Sequence, residues 1–571
     1  MAGPDTPPPS MPADPPPGTG RPHLLTVVVE DYFQHAAFSN LIQPDRWRRF
    51  EARVGTNTRR ALDLLDEYGI RATFFTGGWI AEKMPDVLRE VARRGHEVAS
   101  KGFYHRSLSE MSHREFRDDL RRSRVAIERA SGVRCWGHRV AQGTFTPEDL
   151  WALDVLAEEG FAYDSSFFPR MTDIRKEPWR RYPHRHHHAG RDLWEFPLSS
   201  VGPSWLTVPA AGGNYFRQMP RGLMRRVVEA WDRTQSSPFN LYFHVWELDP
   251  EMPRIDAVDR LTHVRQYRNL DKMEGILRGY FQQYRFGSIA AHLGLDPAAP
   301  PATRAEDEVP DTDARSRKGR RISRHVPRQP LTPITIVVPL FNEEEALPYL
   351  RNTLDEVQAD FQKRYDVRFV FVDDGSSDRT WEVVQEMFGG QPGCKAVRQP
   401  RNSGVAAAIL AGIRAADTEV VCSIDCDCTY DPRQLLEMIP MLTDDVDMVT
   451  ASPYHPQGQV LNVPEWRLTL SKGLSFLYRR LLHNRLATYT ACFRVYRKSA
   501  VERVQVTEGG YLGVVEMLAR MDLAGSRIVE APAVLEVRMM GQSKMKVART
   551  IRGHLGLLAR MTRTRIQGRP S

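Results

Sequence analysis

Two strand-like apolar runs in the second half of this 571-residue chain each end in a pair of acidic side chains. Asp373 and Asp374 follow the run VRFVFV, and Asp425 and Asp427 follow the run VVCSI. Ligands of open α/β sheets bind beyond the carboxyl ends of the strands. Carboxylates at that edge can hold ribose hydroxyls, or a divalent cation that bridges two phosphates. A single Asp-x-Asp triplet is a weak signal, so the order of the surrounding motifs has to be considered.

Three further motifs accompany these acids in a fixed order. Pro339-Leu-Phe-Asn-Glu343 precedes them, Arg401-Asn402-x-Gly404 lies between them, and Arg538-x-x-Gly-Gln-Ser543-Lys544 follows. The set resembles the family 2 inverting glycosyltransferases, most closely the polyprenyl-phosphate branch that includes dolichol-phosphate mannose synthases. The resemblance covers about residues 334–546 and implies a GT-A, Rossmann-like nucleotide-sugar-binding fold.

The resemblance also implies a role for each motif residue. Asp425 and Asp427 would hold Mg²⁺ or Mn²⁺ on the donor diphosphate, with Asp427 also counted as catalytic. Arg494 and Arg538 would grip a donor or acceptor phosphate. Glu516 would be a base or positioning residue, with a helix-surface acid as the equal alternative. Cofactor contacts would come from Glu343, Asp373, Asp374, Arg401, Asn402, Ser543 and Lys544.

The first half carries a second series of polar motifs. They are Val28-Val29-Glu30-Asp31, His96 to His105, Gly137-His-Arg139, Tyr163-Asp164 and Tyr242-Phe-His244. Together they resemble polysaccharide deacetylases of the nodulation-factor type, in the branch tied to exopolysaccharide loci. The match covers about residues 24–289. It implies a distorted (β/α) barrel whose metal-bound water removes N-acetyl groups, with an Asp base and an Asp/His/His metal site.

Two of these deacetylase roles are missing from this sequence. Val28 stands where the resemblance places the base, and Lys101 stands at the first metal-binding histidine. Valine cannot take a proton, and a catalytic zinc needs three protein ligands. We therefore expect this half to bind no zinc, Lys101 to pair with Asp31 in place of the cation, and the barrel to be a glycan-binding pseudoenzyme. The degenerate site comprises Glu30, Asp31, Lys101, His105, Arg139, Asp164 and His244.

A histidine-rich run forms a separate candidate for metal binding. It reads His184-Arg-His186-His187-His188 and is flanked by arginine and proline. A clustered run without further ligands rarely closes a metal site. The run is therefore interpreted as a surface loop in preference to a native metal site.

Composition changes along the chain predict its division into domains. Residues 1–22 are proline-rich and are expected to form a disordered arm, and the charged stretch 296–332 is expected to be a flexible linker. Between and after them, residues 23–295 form the deacetylase-like barrel, and residues 333–571 form the glycosyltransferase-like domain with a basic amphipathic C-terminal segment. Both halves alternate strand-like and helical segments, so the fold class is α/β.

The formal charge of +8 is compatible with an anionic partner, but no nucleic-acid-binding signature is present. The stretches 466–486 and 544–565 are basic and amphipathic, and such helices can lie in a membrane interface or pack on their own domain. With six cysteines, no signal-like segment and no run of 18 apolar residues, the expected location is the cytoplasm, with peripheral association on the inner membrane face as the further expectation.

The sequence thus predicts an inverting glycosyltransferase that moves a sugar from a nucleotide-sugar to a polyprenyl phosphate or related glycan or lipid acceptor. The first alternative is a bifunctional deacetylase and glycosyltransferase of exopolysaccharide or cell-envelope glycan synthesis. The second is a non-catalytic glycan-binding scaffold.

Overall fold

The computed structural model describes residues 22–142, 145–168, 177–188, 190–202, 208–302, 331–463, 465–540 and 547–567. The predicted arm (residues 1–22) lies almost entirely outside the described residues, as does most of the predicted linker. The chain divides into two compact units. The first comprises Met1–Pro44, Ala52–Met252 and Val258–Ile322, and the second comprises Asp45–Glu51, Pro253–Ala257 and Ser323–Ser571. The exact domain limits given above stay a prediction.

The first unit is built on a nine-stranded sheet with the order β10-β1-β2-β3-β4-β5-β7-β6, in which β11 also pairs with β1. Its strands are β1 (His23–Val29), β2 (Thr73–Thr76), β3 (Glu97–Ser100), β4 (Gly137–His138), β5 (Tyr163–Asp164), β6 (His184–His188), β7 (Arg191–Glu195), β10 (Asn240–His244) and β11 (Phe286–Gly287). A separate ribbon is formed by β8 (Ser200–Val201) and β9 (Val208–Pro209).

Helices alternate with these strands. They are α1 (Val54–Glu67), α2 (Gly78–Lys83), α3 (Pro85–Arg93), α4 (His113–Ser131), α5 (Trp151–Glu158), α6 (Gly213–Gln218), α7 (Arg221–Thr234), α8 (Arg260–Tyr267), α9 (Leu270–Gln283) and α10 (Ile289–His292). Helix α4 shows why the sequence folds locally in this way. Its first turn has a capping box between Ser112 and Glu115, and its last turn ends at Gly132, whose φ of 76° suits glycine.

Strand β1 is an interior strand of the sheet, where it pairs in parallel with β2, β10 and β11. All seven of its residues are buried, which explains the continuous apolar run in place of an alternating pattern. Glu30 directly follows β1, so its carboxylate lies at the carboxyl end of the parallel strands.

The second unit is built on a seven-stranded sheet with the order β14-β13-β12-β15-β18-β16-β19. Its strands are β12 (Thr332–Leu340), β13 (Tyr365–Asp373), β14 (Cys394–Arg398), β15 (Val420–Ser423), β16 (Met448–Ser452), β18 (Arg494–Arg497) and β19 (Ile528–Pro532). A small ribbon pairs β17 (Gln459–Leu461) with β20 (Val534–Glu536).

The helices of the second unit cover this sheet. They are α11 (Leu347–Phe361), α12 (Thr380–Phe388), α13 (Val405–Ala415), α14 (Leu435–Met438), α15 (Glu465–Leu481), α16 (Lys498–Glu502), α17 (Tyr511–Leu523) and α18 (Val547–Gln567). Val514, Val515 and Leu518 of α17 pack into the same buried cluster as Leu557 and Met561 of α18. The α/β class predicted for both halves is confirmed.

Candidate active site

Strand β12 is flanked by β13 and β15, and all three run in parallel. Their carboxyl ends therefore lie side by side, as the acidic pairs predicted. Asp373 ends β13, Asp425 follows β15 by two residues, and Glu343 follows β12 by three. We call the surroundings of these ends the transferase site.

Arg538 joins two of the predicted acids in this site. Its Nη2 donates to Glu343 Oε2, and its Nη1 lies 3.5 Å from Asp427 Oδ2. Its Nε donates to the carbonyl oxygen of Met540 at 2.7 Å. Burial alone would lower the pKa of Arg538, but the carboxylates of Asp427 and Glu343 raise it above the ordinary value. The guanidinium therefore stays charged and is the internal counter-ion of the acidic cluster.

Asp425 and Asp427 affect each other electrostatically. Burial, together with the neighbouring Asp427 carboxylate, raises the pKa of Asp425 to about 7. Asp427 Oδ1 accepts a hydrogen bond from the backbone N–H of Thr429 at 3.1 Å, so one of its oxygens is held by the following turn. Two such carboxylates are suitable ligands for a hard divalent cation such as Mg²⁺ or Mn²⁺. A cation there would provide positive charge for a diphosphate leaving group.

The acids after β13 hold the neighbouring loops in place. Asp374 accepts from the backbone N–H groups of Ser403 and Gly404 at 2.8 and 2.7 Å, while burial raises its pKa. Asp373 Oδ1 accepts from Ser376 N at 3.0 Å, and its Oδ2 lies 3.1 Å from Arg398 Nε. Asp374 therefore holds the loop that carries Arg401 and Asn402 in place. Both of these residues are exposed.

Glycines allow three loops to meet at this edge. A Cβ on Gly375, whose φ is 69°, would lie 2.6 Å from the backbone of Arg401. A Cβ on Gly404, whose φ is 94°, would lie 2.6 Å from the backbone of Gly509. The two close approaches place loop 401–404 between loop 373–376 and loop 507–510.

Glu516 is buried and uses its carboxylate to hold loop 507–510. It accepts from Thr507 N, Thr507 Oγ1, Glu508 N and Arg520 Nε at 2.7–2.9 Å. Burial alone would raise the pKa of Glu516, but these donors lower it. An acid with all its acceptor sites occupied is poorly suited to take a proton from a substrate. The geometry therefore favours the positioning alternative over the base.

Arg494 differs from its expected role. The residue is fully buried, and its Nη1 and Nη2 donate to the carbonyl oxygens of Val514 and Tyr489 at 2.8 Å each. It connects β18 to α17 and has no exposed surface for a phosphate. The prediction that Arg494 grips a phosphate is wrong for this structure, because the sequence pattern does not distinguish a surface arginine from a buried one. Ser543 and Lys544 lie outside the described residues.

A second polar cluster lies at the end of β1 in the first unit, and we call it the barrel site. Lys101 Nζ donates to Glu30 Oε2 at 2.8 Å and to the Ala141 carbonyl at 2.9 Å, and it lies 2.6 Å from His105 Nε2. His105 Nε2 also lies 3.0 Å from Glu30 Oε2, so the three side chains form one close cluster. Burial lowers the pKa of Lys101. The opposite holds for Glu30, where burial would raise the pKa, but Lys101 and two histidines hold it well below the ordinary range.

The expected pairing of Lys101 with Asp31 is therefore wrong, and Glu30 is the partner. Successive residues of an extended strand point to opposite sides, so only one of the two neighbouring acids can face Lys101. Asp31 accepts instead from the backbone N–H groups of Tyr32, Arg53 and Val54. It is a buried brace between the end of β1 and the start of α1.

The remaining residues of the predicted degenerate site separate into two groups. His244 belongs to the barrel site, because its Nδ1 lies 2.7 Å from Glu30 Oε1. Arg139 donates to the carbonyl and hydroxyl oxygens of Ser165, and burial lowers its pKa to about 10. Asp164 accepts from Ser166 and lies 2.9 Å from His138 Nδ1. Both are parts of a buried network.

His35 was not found from the sequence but lies beside the barrel site. Glu30, His35 and His244 are a group that could hold a metal ion among the described residues. Two observations oppose this. His35 Nδ1 accepts from Ala37 N at 3.3 Å, so its proton is on Nε2, and an ion on Glu30 would share that carboxylate with an ammonium. One short 3-10 turn, Tyr32–Gln34, separates β1 from His35, and no periodicity in the sequence indicates such a return.

Comparisons with known proteins match different families to the two halves of the chain. The glycosyl transferase family 2 model matches residues 335–505, the polysaccharide deacetylase model matches residues 47–161, and a domain of unknown function matches residues 165–293. The second half is therefore similar to family 2 glycosyltransferases, and the first half is similar to polysaccharide deacetylases. Both resemblances stated from the motifs are confirmed.

Two curated relatives match part of the chain. The chain is 29% identical over 215 residues to a dolichol-phosphate mannosyltransferase of Pyrococcus furiosus, covering 37% of this chain and 59% of that protein. It is also 29% identical over 217 residues to a polyprenol monophosphomannose synthase of Mycolicibacterium smegmatis, covering 37% of this chain and 80% of that protein. The chain thus spans less than two thirds of the first relative's length.

Among solved structures, one similar protein is a putative polysaccharide deacetylase from Mycobacterium smegmatis, with 18% identity and a TM-score of 0.34. The match covers 52% of this chain and all of that one. A glucosyl-3-phosphoglycerate synthase from Mycobacterium tuberculosis, solved with Mn²⁺ and UDP-glucose, has 18% identity and a TM-score of 0.30, with 42% and 80% covered.

Proposed function

We propose that the protein is an inverting glycosyltransferase that moves a sugar from a nucleotide-sugar, with Mg²⁺ or Mn²⁺, to a polyprenyl phosphate or a related glycan or lipid acceptor. The observation that carries the proposal is the cluster of Glu343, Asp425 and Asp427 around Arg538 at the ends of parallel strands. The two curated relatives act on polyprenol-type acceptors by name, which supports the acceptor class.

In this proposal Asp425 and Asp427 hold the cation, and Arg538 supplies a fixed positive charge beside the diphosphate. Preorganised positive groups of this kind stabilise the negative charge that develops on the leaving group. An acceptor phosphate is already anionic at neutral pH, so the reaction needs little general-base help. This agrees with the transferase site, where Glu516 is fully occupied by the loop that it braces.

For the first half we propose a barrel that no longer deacetylates and instead binds glycan. The supporting observation is the Lys101 ammonium, which donates to Glu30 Oε2 and to the Ala141 carbonyl and lies 2.6 Å from His105 Nε2. Among the described residues, the group of Glu30, His35 and His244 favours the competing bifunctional enzyme. Release of acetate from N-acetylglucosamine oligomers by the purified chain would establish that alternative.

We also propose that the protein acts in the cytoplasm, on the inner face of the membrane. Among the described helices, none has the length and apolarity needed to pass through a bilayer. Helices α15 and α18 bury one side in their own unit through Tyr478, Leu557 and Met561. Their other side exposes Phe476 and Leu555, each more than half exposed, together with several arginines. A surface of this composition suits an anionic membrane interface.

The first experiment is a transfer assay with the full chain, Mn²⁺ or Mg²⁺, short-chain polyprenyl phosphate and a panel of UDP- and GDP-sugars. We expect one donor to give a glycosylated lipid by mass spectrometry. Asp427→Ala should abolish the product. The matched control Asp445→Ala, at a largely exposed acid of the same unit, should retain it. Nucleotide binding without lipid product would refute the lipid acceptor, and absence of nucleotide binding would favour the scaffold alternative.

A further inference from the structure

Two short segments from the first half of the sequence belong to the second unit. They are Asp45–Glu51 and Pro253–Ala257, and both are grouped with Ser323–Ser571. The glycosyl transferase family 2 model begins at residue 335, so it includes neither segment. Their role therefore has to be derived from the contacts that they make inside the second unit.

Arg49 of the first segment is buried between two acids of the second unit. Its Nε donates to Glu356 Oε2 of helix α11, and its Nη2 donates to Asp431 Oδ2, both at 2.7 Å. The Arg49 side chain is only 2% exposed. Burial alone would lower the pKa of Arg49, but the two acids raise it above the ordinary value. Arg49 is therefore a charged link between helix α11 and the turn that follows Asp427.

Helix α11 also holds the first segment through other contacts. Asn352 Nδ2 donates to the carbonyl oxygen of Arg49 at 3.2 Å. The ring of Phe50 meets the ring of Tyr349 edge to face, with 4.9 Å between the centroids, and both rings are buried. A guanidinium, a backbone carbonyl and an aromatic ring thus fix the segment together, so its position is well defined.

Arg46 of the same segment is connected to Asp427 by a second route. It forms a two-point ion pair with Glu536, the last residue of strand β20. The backbone N–H of Glu536 donates to the Thr429 carbonyl oxygen at 2.9 Å, and the Thr429 N–H donates to Asp427 Oδ1 at 3.1 Å. Three successive contacts therefore connect the Arg46 guanidinium to one carboxylate oxygen of Asp427.

The second segment contacts the part of the chain that carries Arg538. The backbone N–H of Asp256 donates to the carbonyl oxygen of Met539 at 2.9 Å. Met539 directly follows Arg538, whose Nε donates to the Met540 carbonyl. The two segments thus hold the chain next to two charged groups of the transferase site, Asp427 and Arg538.

We propose that Arg46 and Arg49 are positioning residues of the transferase site, which hold the turn 427–431 so that Asp427 can bind the metal ion of the donor diphosphate. These roles rest on the metal-dependent transfer proposed above. Neither arginine contacts the ion or the donor in this arrangement. Groups that hold a metal ligand in place change metal affinity by about 10–100-fold although they do not touch the ion.

The experiment measures Mn²⁺ binding to the full chain by electron paramagnetic resonance, because this measurement needs neither donor nor acceptor. Binding that survives in Asp427→Ala is subtracted. Arg49→Lys keeps the positive charge but loses the planar fork that bridges two acids. We expect its Mn²⁺ affinity to fall about tenfold. Arg48→Lys, at an exposed arginine of the same segment, is the matched control and should bind Mn²⁺ as the parent does.

An exchange of charges tests the second route and covers poor folding of Arg49→Lys. Arg46→Glu places two acids together, and its added negative charge alone would attract Mn²⁺. Weaker binding, by about fivefold, would therefore report displacement of Asp427. Arg46→Glu combined with Glu536→Arg restores opposite charges and should recover most of the lost affinity. Urea unfolding of the same proteins separates a loss of stability from a loss of Mn²⁺ affinity in the folded state.

Three results would overturn the positioning role. They are parental Mn²⁺ affinity in both Arg49→Lys and Arg46→Glu, an equal loss in Arg48→Lys, and no recovery in the charge exchange. Failure of the proposed function has a different signature. A parent that binds Mn²⁺ through Asp427 but transfers no sugar would refute the transfer alone, whereas a parent without Mn²⁺ bound at Asp427 would refute both.

Discussion

In each unit, one basic side chain places a positive charge beside acidic side chains. In the transferase site Arg538 lies between Glu343 and Asp427, and in the barrel site Lys101 lies against Glu30. Arg538 is partly exposed, whereas Lys101 is buried and donates to Glu30 and to the Ala141 carbonyl. The first cation can exchange its partners for a ligand, and the second is a fixed part of the core.

Removal of the Arg538 charge should change metal binding and catalysis in opposite directions. Arg538→Ala leaves Glu343 and Asp427 without their internal cation, so Mn²⁺ affinity without nucleotide should rise about fivefold. Sugar transfer should fall, because the charge beside the diphosphate is lost. Titration of Mn²⁺ by electron paramagnetic resonance measures the first effect. Arg368→Ala, at an exposed pair with Asp366, is the control, and weaker Mn²⁺ binding in Arg538→Ala would contradict the counter-ion role.

Substitutions of Lys101 and Glu30 should have strongly non-additive effects on the free energy of unfolding. Lys101→Met leaves a buried carboxylate unpaired and should destabilise the first unit by about 3–5 kcal/mol. Glu30→Gln should also destabilise it, and the double variant should recover a large part of the loss. Urea unfolding of the four proteins gives the coupling free energy. Additive effects, or an equal loss in the exposed control Lys272→Met, would show that the ion pair has no special role.

At the scale of elements, the sequence predicted where the acids lie but not what each one holds. Strand ends and their order follow from apolar runs, so Asp373, Asp425 and Glu343 were correctly placed at one sheet edge. Neighbouring residues of an extended strand point to opposite sides, so a shift of one residue decides which acid faces the site. This explains why Glu30, and not the predicted Asp31, is the partner of Lys101. The burial of Arg494 depends on the packing of α17 over β18, and no local pattern records that contact.

Contact between loops 401–404 and 507–510 should tolerate a methyl group at one glycine but not at its neighbour. A Cβ on Gly509 would lie 1.8 Å from the Ser403 carbonyl oxygen, whereas a Cβ on Gly510 would meet nothing within 4 Å. Gly509→Ala should therefore displace the loops and weaken nucleotide binding by about tenfold, the equivalent of about 1.4 kcal/mol. Gly510→Ala should bind nucleotide as the parent does. Fluorescence titration compares them, and equal affinities would refute the role of this contact.

Helix α18 should dock less firmly in mild acid. His554 is buried beside Tyr478, and burial lowers the pKa of His554 to about 4. Since the folded pKa lies below the free value of about 6.5, stability is complete above pH 6.5 and is lost as pH falls toward 4. The loss at pH 5 is about 2 kcal/mol. Hydrogen exchange of α18, corrected for intrinsic rates, should show it, and His554→Gln should remove the pH dependence. Identical protection of the parent at pH 7 and pH 5 would contradict this.

For the whole molecule, composition and motif order were sufficient to separate two α/β halves and to assign each to its family. The sequence could not place His35 at the barrel site or arrange β6 with α5, because both depend on contacts across long loops. The same limit applies to the helices of the second unit. Amphipathic patterns predicted α15 and α18, yet only the packed structure separates their buried side from their exposed side.

Membrane association should depend on that exposed side. Phe476→Ser combined with Leu555→Ser removes two exposed apolar side chains and should reduce co-sedimentation with anionic liposomes by about tenfold or more. High salt should weaken binding of the parent, because the arginines act through screened charge. Leu261→Ser, at an exposed leucine of the first unit, is the control. Unchanged binding of the double variant would refute α15 and α18 as the membrane surface.

The ammonium of Lys101 makes the positive charge of the barrel site independent of metal binding. A bound metal ion is held by an equilibrium, so it can dissociate on dilution, be removed by a chelator or be replaced by a competing ion. A charge on a lysine side chain is covalently attached and is supplied by translation itself. The core of the barrel site is thus complete as soon as the chain folds, whatever the supply of trace metals in the cell.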